Sequence, residues 1–320
     1  MPSTRLTARR EREAKPTFWS LTVIDLFRAS EYARLHRGQV VVVKVGGGCL
    51  AGPGRRRSLA RQLSVLASLG ARLVVVHGGG PQTGELQVLL GEEPRTVDGR
   101  RVTTPTGLRA LRMATAGEVN GEWTAALCAA GAPAVGLCAA SAGMVVGARR
   151  PPMETSEGVI DLGLVGDVQS VDPAPLDALL AAELVPVVCP PVADGAGGIL
   201  NLNADLLAAE LACSLGAAKL VLATEAAGVL SAPSDPTSVL STLTLAELGD
   251  LADQGALQDG MAVKAAAVRR ALEGGVARVH VVSGTTAEDL LGELYTTHGT
   301  GTLVTLERET APHAEPLVSP

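Results

Sequence analysis

Short apolar, β-branched runs that alternate with helical segments constrain the fold of this chain most. The runs are VVVVKV (40–45), LVVVH (73–77), AVGLC (134–138), VPVVC (185–189), KLVLAT (219–224) and RVHVVS (278–283). Strands that read as nearly continuous apolar runs are buried on both faces, as in parallel sheets covered by helices. The alternation therefore predicts an α/β fold: a three-layer αβα sandwich around a central, mainly parallel sheet.

Helical periodicity and turn residues place the other elements. Helices are predicted at 84–90, 106–130, 175–184, 204–215, 244–254 and 286–295, with further helices between Arg55 and Gly70 and after Asp259. Residues 141–172 contain two β-rich runs separated by Pro and Gly, which predicts β-hairpins.

The N-terminal region differs in composition from the rest. Residues 1–16 are polar and are predicted to be a disordered tail, and so are residues 305–320 at the other end. Residues 17–37 carry Phe18, Leu21, Ile24 and Phe27 at helical spacing, which predicts an amphipathic helix. Two interpretations of this helix remain open: it docks on another surface, or it packs on its own domain.

Composition excludes several classes of protein. The net charge of −6 argues against general nucleic-acid binding. No apolar run reaches the ~18 residues of a membrane span, and the N-terminus lacks a secretory apolar region. The five cysteines form no CxxC pair, so we expect no structural metal site, and free thiols in apolar surroundings favour a cytoplasmic location.

Two strands end in glycine-rich loops with basic residues nearby. Lys44 directly precedes the glycines 46–48, and HGGGPQ (77–82) follows the next strand. Such loops present backbone N–H groups to an anion, and the following helix N-terminus adds to the attraction. Lys44 either extends to the surface or faces an anion, and the neighbouring glycines favour the anion. His77 is predicted to be held by local hydrogen bonds rather than to act in catalysis.

Polar residues also cluster at two strand-to-helix junctions. NLNAD places Asn201, Asn203 and Asp205 together, either as a helix cap or as ligand contacts, and Asp205 is suited to be a counter-ion shared by two lysines. Lys264 lies one turn into the helix that follows DGM. Arg101 is a candidate for binding a carboxylate through its planar fork, or else a solvated loop arginine.

These features point to phosphoryl transfer. No GxGxxG follows the first strand, and no Ser/His/Asp or Cys/His nucleophile arrangement is present. Two lysines and backbone donors, without an evident base, suit transfer to an acceptor that is already ionised, such as a carboxylate. Catalysis then consists of positioning and of stabilising charge on the transferring group.

The motifs and their order resemble those of the amino acid kinase family. The matching segments are VVKVGGG, VVHGGGPQ, DGRRVT, GLVGDV, VPVV, NLNADLLAAELA, KLVLATEAAGVL, DGMAVKAAAV and LYTTHGTGTLV, between about residues 38 and 304. The resemblance implies an N-lobe (38–185) that binds the amino acid and a C-lobe (186–304) that binds ATP. The implied reaction phosphorylates the γ-carboxylate of N-acetyl-L-glutamate, the second step of arginine biosynthesis, with Mg²⁺ held mainly by the nucleotide phosphates.

The resemblance also implies residue roles. Lys44 and Lys264 stabilise the phosphoryl group in flight, and Asp205 organises both lysines. The implied amide donors are Gly46, Gly47, Gly79 and Gly80. The implied contacts to the amino-acid substrate are Arg101, Asn201 and Asn203. The implied nucleotide contacts are Thr224, Glu225, Gly228, Leu230, Gln258 and Gly260, where Glu225 stands in place of the aspartate usual in the family.

Arginine-inhibited members of the family resemble this chain in two further ways. They carry an extra N-terminal helix, like 17–37, which joins dimers into a hexameric ring, a trimer of dimers. They also carry a C-terminal histidine and glutamate before a glycine turn, matching His280, Glu293 and Gly301, which implies an L-arginine effector site.

Two alternatives remain. One is a related carboxylate kinase of lysine biosynthesis that acts on carrier-linked aminoadipate. The other is a catalytically silent, arginine-sensing kinase-fold domain, against which the retained Lys44, Asp205 and Lys264 argue.

Overall fold

A computed structural model describes residues 23–232, 235–257, 260–296 and 299–308. Its helices are α1 (Val23–His36), α2 (Pro53–Ser68), α3 (Gly80–Leu89), α4 (Pro105–Leu111), α5 (Asn120–Ala129), α6 (Ala174–Ala181), α7 (Ala204–Ser214), α8 (Leu245–Asp253), α9 (Gly260–Glu273) and α10 (Asp289–Tyr295). Its first eight strands are β1 (Val40–Val45), β2 (Arg72–His77), β3 (Thr96–Val97), β4 (Arg100–Arg101), β5 (Ala134–Cys138), β6 (Val145–Arg149), β7 (Met153–Thr155) and β8 (Gly158–Ile160). The others are β9 (Gly166–Val171), β10 (Val185–Cys189), β11 (Val192–Ala193), β12 (Ile199–Leu200), β13 (Lys219–Thr224), β14 (Thr242–Thr244), β15 (Arg278–Ser283) and β16 (Thr302–Thr305).

The main sheet has eight strands in the order β14-β16-β15-β13-β1-β2-β10-β5. Six neighbouring strands, β15 to β5, run parallel, whereas β16 pairs antiparallel with β15 and carries β14 beside it. The six apolar runs of the sequence are these six parallel strands. The predicted α/β fold with a mainly parallel central sheet is confirmed.

Both faces of the sheet are covered, and strand β1 shows how. Val40 and Val42 belong to a core with α7 and α9, whereas Val41 and Val43 belong to a second core with α2 and α5. Side chains alternate along a strand, so Lys44 lies on the same face as Val42. The ammonium group of Lys44 is therefore directed towards the α7–α9 side at the carboxyl end of β1.

A smaller sheet stands beside the carboxyl ends of the main strands. It has the order β12-β11-β6-β9, and the hairpins β3–β4 and β7–β8 accompany it. Isolated backbone bridges add to this region: Val165, just before β9, pairs with Asn201, just after β12, and Gly163 pairs with Thr103, which precedes α4. The predicted β-hairpin character of 141–172 is confirmed, and residues between these strands (Arg150, Leu162 and Val165) line the site described below.

The segment predicted as one helix over 106–130 is divided in three. Residues 112–119 form a π-helical stretch between α4 and α5. One extra residue per turn is inserted there, which periodicity does not reveal because the apolar face continues through it. The predicted boundary at 185/186 falls at the start of β10, inside the main sheet, and the division into two lobes stays a prediction.

The N-terminal helix contacts the main body near its own end. His36 stacks against Tyr295 of α10, with ring centroids 4.9 Å apart. The predicted tail 1–16, the first residues of the predicted helix and most of the predicted tail 305–320 lie outside the described residues. Among the helices of the described ranges, none combines the length and apolar character needed to cross a membrane.

Candidate active site

A buried ion pair forms where β1 and α7 meet. The Nζ atom of Lys44 lies 2.8 Å from Oδ1 of Asp205, and each residue is only 6% exposed. Asp205 lies in the first turn of α7 because Asn203 caps that helix. Oδ1 of Asn203 accepts hydrogen bonds from the amides of Asp205 (2.9 Å) and Leu206 (3.0 Å). The cap therefore aims the carboxylate at Lys44.

The second predicted lysine lines the same cavity. Lys264 lies on α9, which packs against α7, and its Nζ lies 3.4 Å from the carbonyl oxygen of Gly260. Burial lowers the pKa of Lys264, Asp205 opposes that shift, and the charge of Lys44 adds to it. The three predicted catalytic residues are thus brought together. In the sequence, Lys44 and Asp205 are 161 positions apart, and Asp205 and Lys264 are 59 positions apart.

Two glycine loops meet beside this pair. A Cβ on Gly47 would lie 2.9 Å from Cδ of Pro81, and one on Gly79 would lie 2.7 Å from Cγ2 of Thr115. These approaches require glycine at both positions. Within the described part of the chain, the amides of Gly47 and Gly79 donate to no backbone acceptor, so they are available to a ligand.

Gly46 differs from the prediction. Its amide donates to the carbonyl oxygen of Ala223 at 3.0 Å, which extends the β1–β13 ladder by one bond. Gly46 lines the cavity, but its N–H group is already bonded and is not free for a phosphoryl oxygen. Strand pairing continues one residue past the end of β1, a feature that the glycine run conceals.

The cavity has a volume of about 400 Å³ and contains most predicted site residues. Those that line it are Lys44, Gly46, Gly47, Gly79, Gly80, Arg101, Asn201, Asn203, Asp205, Thr224, Glu225 and Lys264. They come from β1, β4, β13, α7, α9 and the glycine loops, so the cavity lies at the carboxyl end of the parallel sheet.

Arg101 and Asn201 are held in place by neutral partners. Arg101 donates to Oε1 of Gln87 (3.0 Å) and to the carbonyl oxygen of Gly80 (2.9 Å), and burial lowers its pKa. Asn201 donates to Oγ1 of Thr103 at 3.0 Å. Because no carboxylate of the described residues pairs with Arg101, its charge is left for an anion in the cavity.

The main role of the Asn203 side chain is to cap helix α7. The interpretation of NLNAD as a helix cap is confirmed for Asn203, whose side-chain oxygen is committed to two backbone amides. It also lines the cavity, so the predicted contact with substrate stays a prediction for this residue.

Two arginines of the cavity were not among the predicted site residues. Arg100 and Arg150 both line it. Arg150 follows β6 and forms a two-pronged ion pair with Asp167, with Nε 3.0 Å from each carboxylate oxygen. Arg100 stands beside Arg101 in the β3–β4 hairpin, and burial is the main cause of its lowered pKa. The tandem arginine of DGRRVT was the only sequence signal, and nothing near Arg150 in sequence indicated its position.

The predicted nucleotide contacts divide into two groups. Thr224 and Glu225 line the cavity, whereas Gly228, Leu230 and Gly260 do not. Gly228 packs against Thr302, and Leu230 pairs with Val239 in an isolated bridge. Gln258 lies outside the described residues.

His77 has a structural role, as predicted. It is fully buried; its Nδ1 lies 2.8 Å from the carbonyl oxygen of Gly78, and its Nε2 lies 3.0 Å from Nδ2 of Asn120. Nδ1–H donates to Gly78 and Nε2 accepts from Asn120, which describes a neutral imidazole. Burial lowers the pKa of His77 to about 4.

The three predicted effector residues meet outside the cavity. His280 Nδ1 lies 2.7 Å from Oε1 of Glu293, whose Oε2 accepts from the amides of Thr300 (2.7 Å) and Gly301 (2.8 Å). Burial acts to raise the pKa of Glu293, but these hydrogen bonds outweigh it and lower the pKa, while burial lowers that of His280. Nδ1–H of His280 donates to the carboxylate of Glu293.

Within the described ranges, no group of three or more His, Cys, Asp or Glu could hold a metal ion. The acidic side chains that line the cavity are Asp205 and Glu225.

The sequence of this chain is similar to those of known proteins. Residues 39–283 match the model of the amino acid kinase family. The chain is 40% identical to the acetylglutamate kinase of Myxococcus xanthus over 293 residues, which covers 90% of this chain and 95% of the relative. It is 34% identical to the acetylglutamate kinase of Methanothermobacter thermautotrophicus, over 89% of this chain and 99% of that one.

Solved structures resemble the fold as well. An N-acetylglutamate synthase from Neisseria gonorrhoeae, complexed with coenzyme A and N-acetyl-glutamate, superposes with a TM-score of 0.78 at 30% identity, covering 92% of this chain but only 65% of the synthase. Carbamate kinase from Giardia lamblia bound to AMP-PNP superposes with a TM-score of 0.59 at 17% identity, over 84% of this chain and 98% of that one. The latter likeness concerns the fold alone.

Proposed function

Because this chain belongs to the amino acid kinase family, we propose that it transfers the γ-phosphoryl group of ATP to the γ-carboxylate of N-acetyl-L-glutamate. The products are the γ-acyl phosphate and ADP, in the second step of arginine biosynthesis. The observation that carries the proposal is the single cavity that contains Lys44, Asp205 and Lys264 together with Arg101. Relatives named acetylglutamate kinase match the chain over nearly its whole length.

In this proposal the cavity supplies charge and position rather than a base. A γ-carboxylate is ionised at neutral pH and needs no proton removed before it attacks. Lys44 and Lys264 offset the negative charge that develops on the transferring phosphoryl group. Asp205, 2.8 Å from Lys44, keeps that ammonium group oriented, and the free amides of Gly47 and Gly79 donate to phosphoryl or acceptor oxygens.

The substrate's α-carboxylate is assigned to Arg101, with Asn201 beside it. Both side chains line the cavity and are already oriented by Gln87, Gly80 and Thr103.

Mg²⁺ would accompany ATP and be held mainly by its phosphates. The cytoplasmic location also stays a proposal; the cysteines of the described residues are all free thiols, as in a reducing compartment.

An ADP-release assay tests the reaction directly. We expect turnover with N-acetyl-L-glutamate and much lower kcat/KM with glutamate, aspartate and aminoadipate, offered in parallel under the same ATP concentration. Preference for aminoadipate or its carrier-linked form would favour the kinase of lysine biosynthesis instead. No ADP release with any of the four would favour the silent, arginine-sensing domain.

We also propose that L-arginine binds near His280, Glu293 and Gly301 and inhibits the reaction. Three buried polar atoms in this region have no hydrogen-bond partner among the described residues: His36 Nε2, His280 Nε2 and Tyr295 Oη. Buried polar atoms usually have a hydrogen-bond partner, so these three favour the binding of a polar ligand in this region. A neighbour of the same fold, the N-acetylglutamate synthase of Neisseria gonorrhoeae, has been solved in complex with L-arginine.

Titration of the kinase rate with L-arginine tests this effector. We expect inhibition by millimolar arginine in the parent chain and weaker inhibition in Tyr295→Phe, which removes only the unpartnered hydroxyl. D-arginine serves as the control ligand. An unchanged rate at millimolar L-arginine would contradict the proposal.

The assembly belongs to the same proposal. A homodimer, or a hexamer built as a trimer of dimers through the segment 17–37, agrees with the helix α1 that leads to the effector region. Sedimentation velocity of the full chain, with and without L-arginine, would distinguish monomer, dimer and hexamer; a monomer at micromolar concentration would rule out both assemblies.

A further inference from the structure

Two cysteines that the proposed reaction does not use face each other at the carboxyl end of the main sheet. Cys138 ends β5, Cys189 ends β10, and the two residues are paired in register across these parallel strands. Their Sγ atoms lie 3.8 Å apart. Cys189 is buried, whereas Cys138 is partly exposed.

We propose that Cys138 and Cys189 are a reversible modification site: a hydroperoxide converts the pair into a disulfide, and the disulfide weakens binding at the cavity. The effect on the cavity rests on the function proposed above, whereas the formation of the disulfide does not.

The chemistry balances with a hydroperoxide as the oxidant. The Cys138 thiolate attacks the peroxide oxygen, the O–O bond breaks, and an alcohol or water leaves once protonated, which yields a sulfenic acid on Cys138. The Cys189 thiol then attacks that sulfur, the S–S bond forms and water departs. Two thiol hydrogens and two electrons are transferred to the peroxide.

The environment assigns these two roles. A hydrogen bond from the Cys189 thiol is the main reason that the pKa of Cys138 is lowered to about 7, with a smaller contribution from the charge of Arg112. The same interaction, together with burial, raises the pKa of Cys189. Cys138 is therefore both the more exposed sulfur and the one that is a thiolate near neutral pH, as a peroxide-reactive cysteine must be.

The backbone permits the bond with a small movement. Neighbouring strands lie ~4.8 Å apart, which falls inside the Cα separation of disulfides, roughly 4.4–6.8 Å. The sulfurs must approach from 3.8 Å to about 2 Å, so the side chains rotate and the strand ends draw slightly together.

The pair is connected to the cavity by the next residue. Pro190 follows Cys189 and lines the cavity. The amide of Ala139 donates to the carbonyl oxygen of Cys189 (2.9 Å), and that of Ala140 donates to Pro191 (3.1 Å), so the two strand ends move as one.

A second connection runs through the π-helical segment. The hydroxyl of Thr115 acts to lower the pKa of the Cys189 thiol, and the methyl group of Thr115 packs directly on Gly79 of the cavity. Drawing the sulfurs together therefore displaces groups on two sides of the substrate.

Hydrogen peroxide treatment of the full-length protein tests the site. We expect the oxidised chain to be lighter by two hydrogen atoms, with a peptide cross-link between Cys138 and Cys189 by mass spectrometry. We expect KM for N-acetyl-L-glutamate to rise about tenfold, less than the roughly 10²-fold loss that a 1 Å misplacement of positioning groups can cause. Dithiothreitol should restore both the mass and KM.

Matched variants separate the pair from the other thiols. Cys138→Ser and Cys189→Ala should each lose the cross-link and the response, whereas Cys128→Ser, which removes an exposed cysteine, should retain both. Absence of the 138–189 cross-link while Cys128 is oxidised would overturn the proposal, and so would a cross-linked protein with unchanged KM. Lack of kinase activity before oxidation would count against the proposed function alone, because the mass still decides whether the disulfide forms.

Discussion

Lys44 carries a charge at a position where its neighbours along β1 are fully buried valines. A buried charge is costly unless it is paired, and removing one partner of a buried pair is strongly destabilising. Asp205 supplies that partner, and Lys264 adds a second cation to the same cavity. Two positive groups around one carboxylate leave an excess of positive charge, which an anionic ligand can neutralise.

Replacing Lys264 by Ala should lower kcat by about 10²- to 10³-fold, since it removes one charge that stabilises the transferring phosphoryl group. The thermal unfolding midpoint should change little, because burial already disfavours the charged form of this lysine. Steady-state kinetics and a thermal melt measure the two effects. Arg269→Ala, an exposed cation on the same helix, is the control and should stay near parent activity. A Lys264→Ala enzyme within tenfold of the parent would remove Lys264 from the mechanism.

Arg150 and Arg149 are adjacent arginines with different surroundings. Arg150 lines the cavity, whereas Arg149 is exposed and pairs with Asp161. Arg150→Leu should raise KM for N-acetyl-L-glutamate by about tenfold, because it removes a positive charge from the cavity lining and leaves Asp167 without its partner. KM for ATP should remain near the parent value. Arg149→Leu should leave both constants unchanged; equal effects of the two substitutions would show that only surface charge matters.

At the scale of elements, the π-helical segment between α4 and α5 fits the second glycine loop to the sheet. Thr115 places its methyl group against Gly79 and donates its hydroxyl hydrogen to the carbonyl oxygen of Leu111 at 2.7 Å. Asn120, at the start of α5, contacts His77 and the carbonyl oxygen of Val187 (3.1 Å). The segment thus fixes the loop against β2 and β10, and π-helical turns are frequent at functional sites.

Gly79→Ala should destabilise the fold by about 1–3 kcal/mol, because its Cβ would overlap the Thr115 methyl group. Thr115→Ser removes that methyl group and keeps the hydroxyl, so the double variant should recover most of the lost stability. Urea denaturation of the parent, both single variants and the double variant measures the coupling. Additive losses in the double variant would show that the contact with Thr115 is not the reason for glycine.

At the scale of the whole molecule, the cavity brings together groups from β1 and β13 of the main sheet, from the β3–β4 hairpin and from α7 and α9. The same compact packing buries several ionisable side chains. Burial is the main reason that the pKa values of His36 and His77 are lowered to about 4. Both histidines are therefore neutral in the folded protein at pH 7.

Stability should decrease as the pH falls from about 6.5 to about 4. An unfolded histidine binds its proton near pH 6.5, whereas these two remain neutral in the folded state until about pH 4. Between those values the unfolded chain binds more protons than the folded protein. The free energy of unfolding therefore decreases as the pH decreases, for His77 by on the order of 3 kcal/mol. Denaturant unfolding at several pH values measures the slope. His77→Asn should show a shallower slope; a flat profile in the parent would contradict buried, neutral histidines.

The amino-acid sequence alone predicts the class of fold and the residue types that form an anion site. Continuous apolar runs that alternate with helical segments favour a parallel sheet covered on both faces, and a lysine beside glycines at a strand end indicates an anion site. Tertiary structure decided what depends on contacts between distant segments. Gly46 donates its amide hydrogen to the carbonyl oxygen of Ala223, Asn203 serves as a cap, and Arg150 reaches the cavity from the end of β6, whose position follows from sheet pairing. The juxtaposition of Cys138 and Cys189 likewise depends on the register of β5 and β10, because local sequence specifies which element forms but not which strand lies next to it.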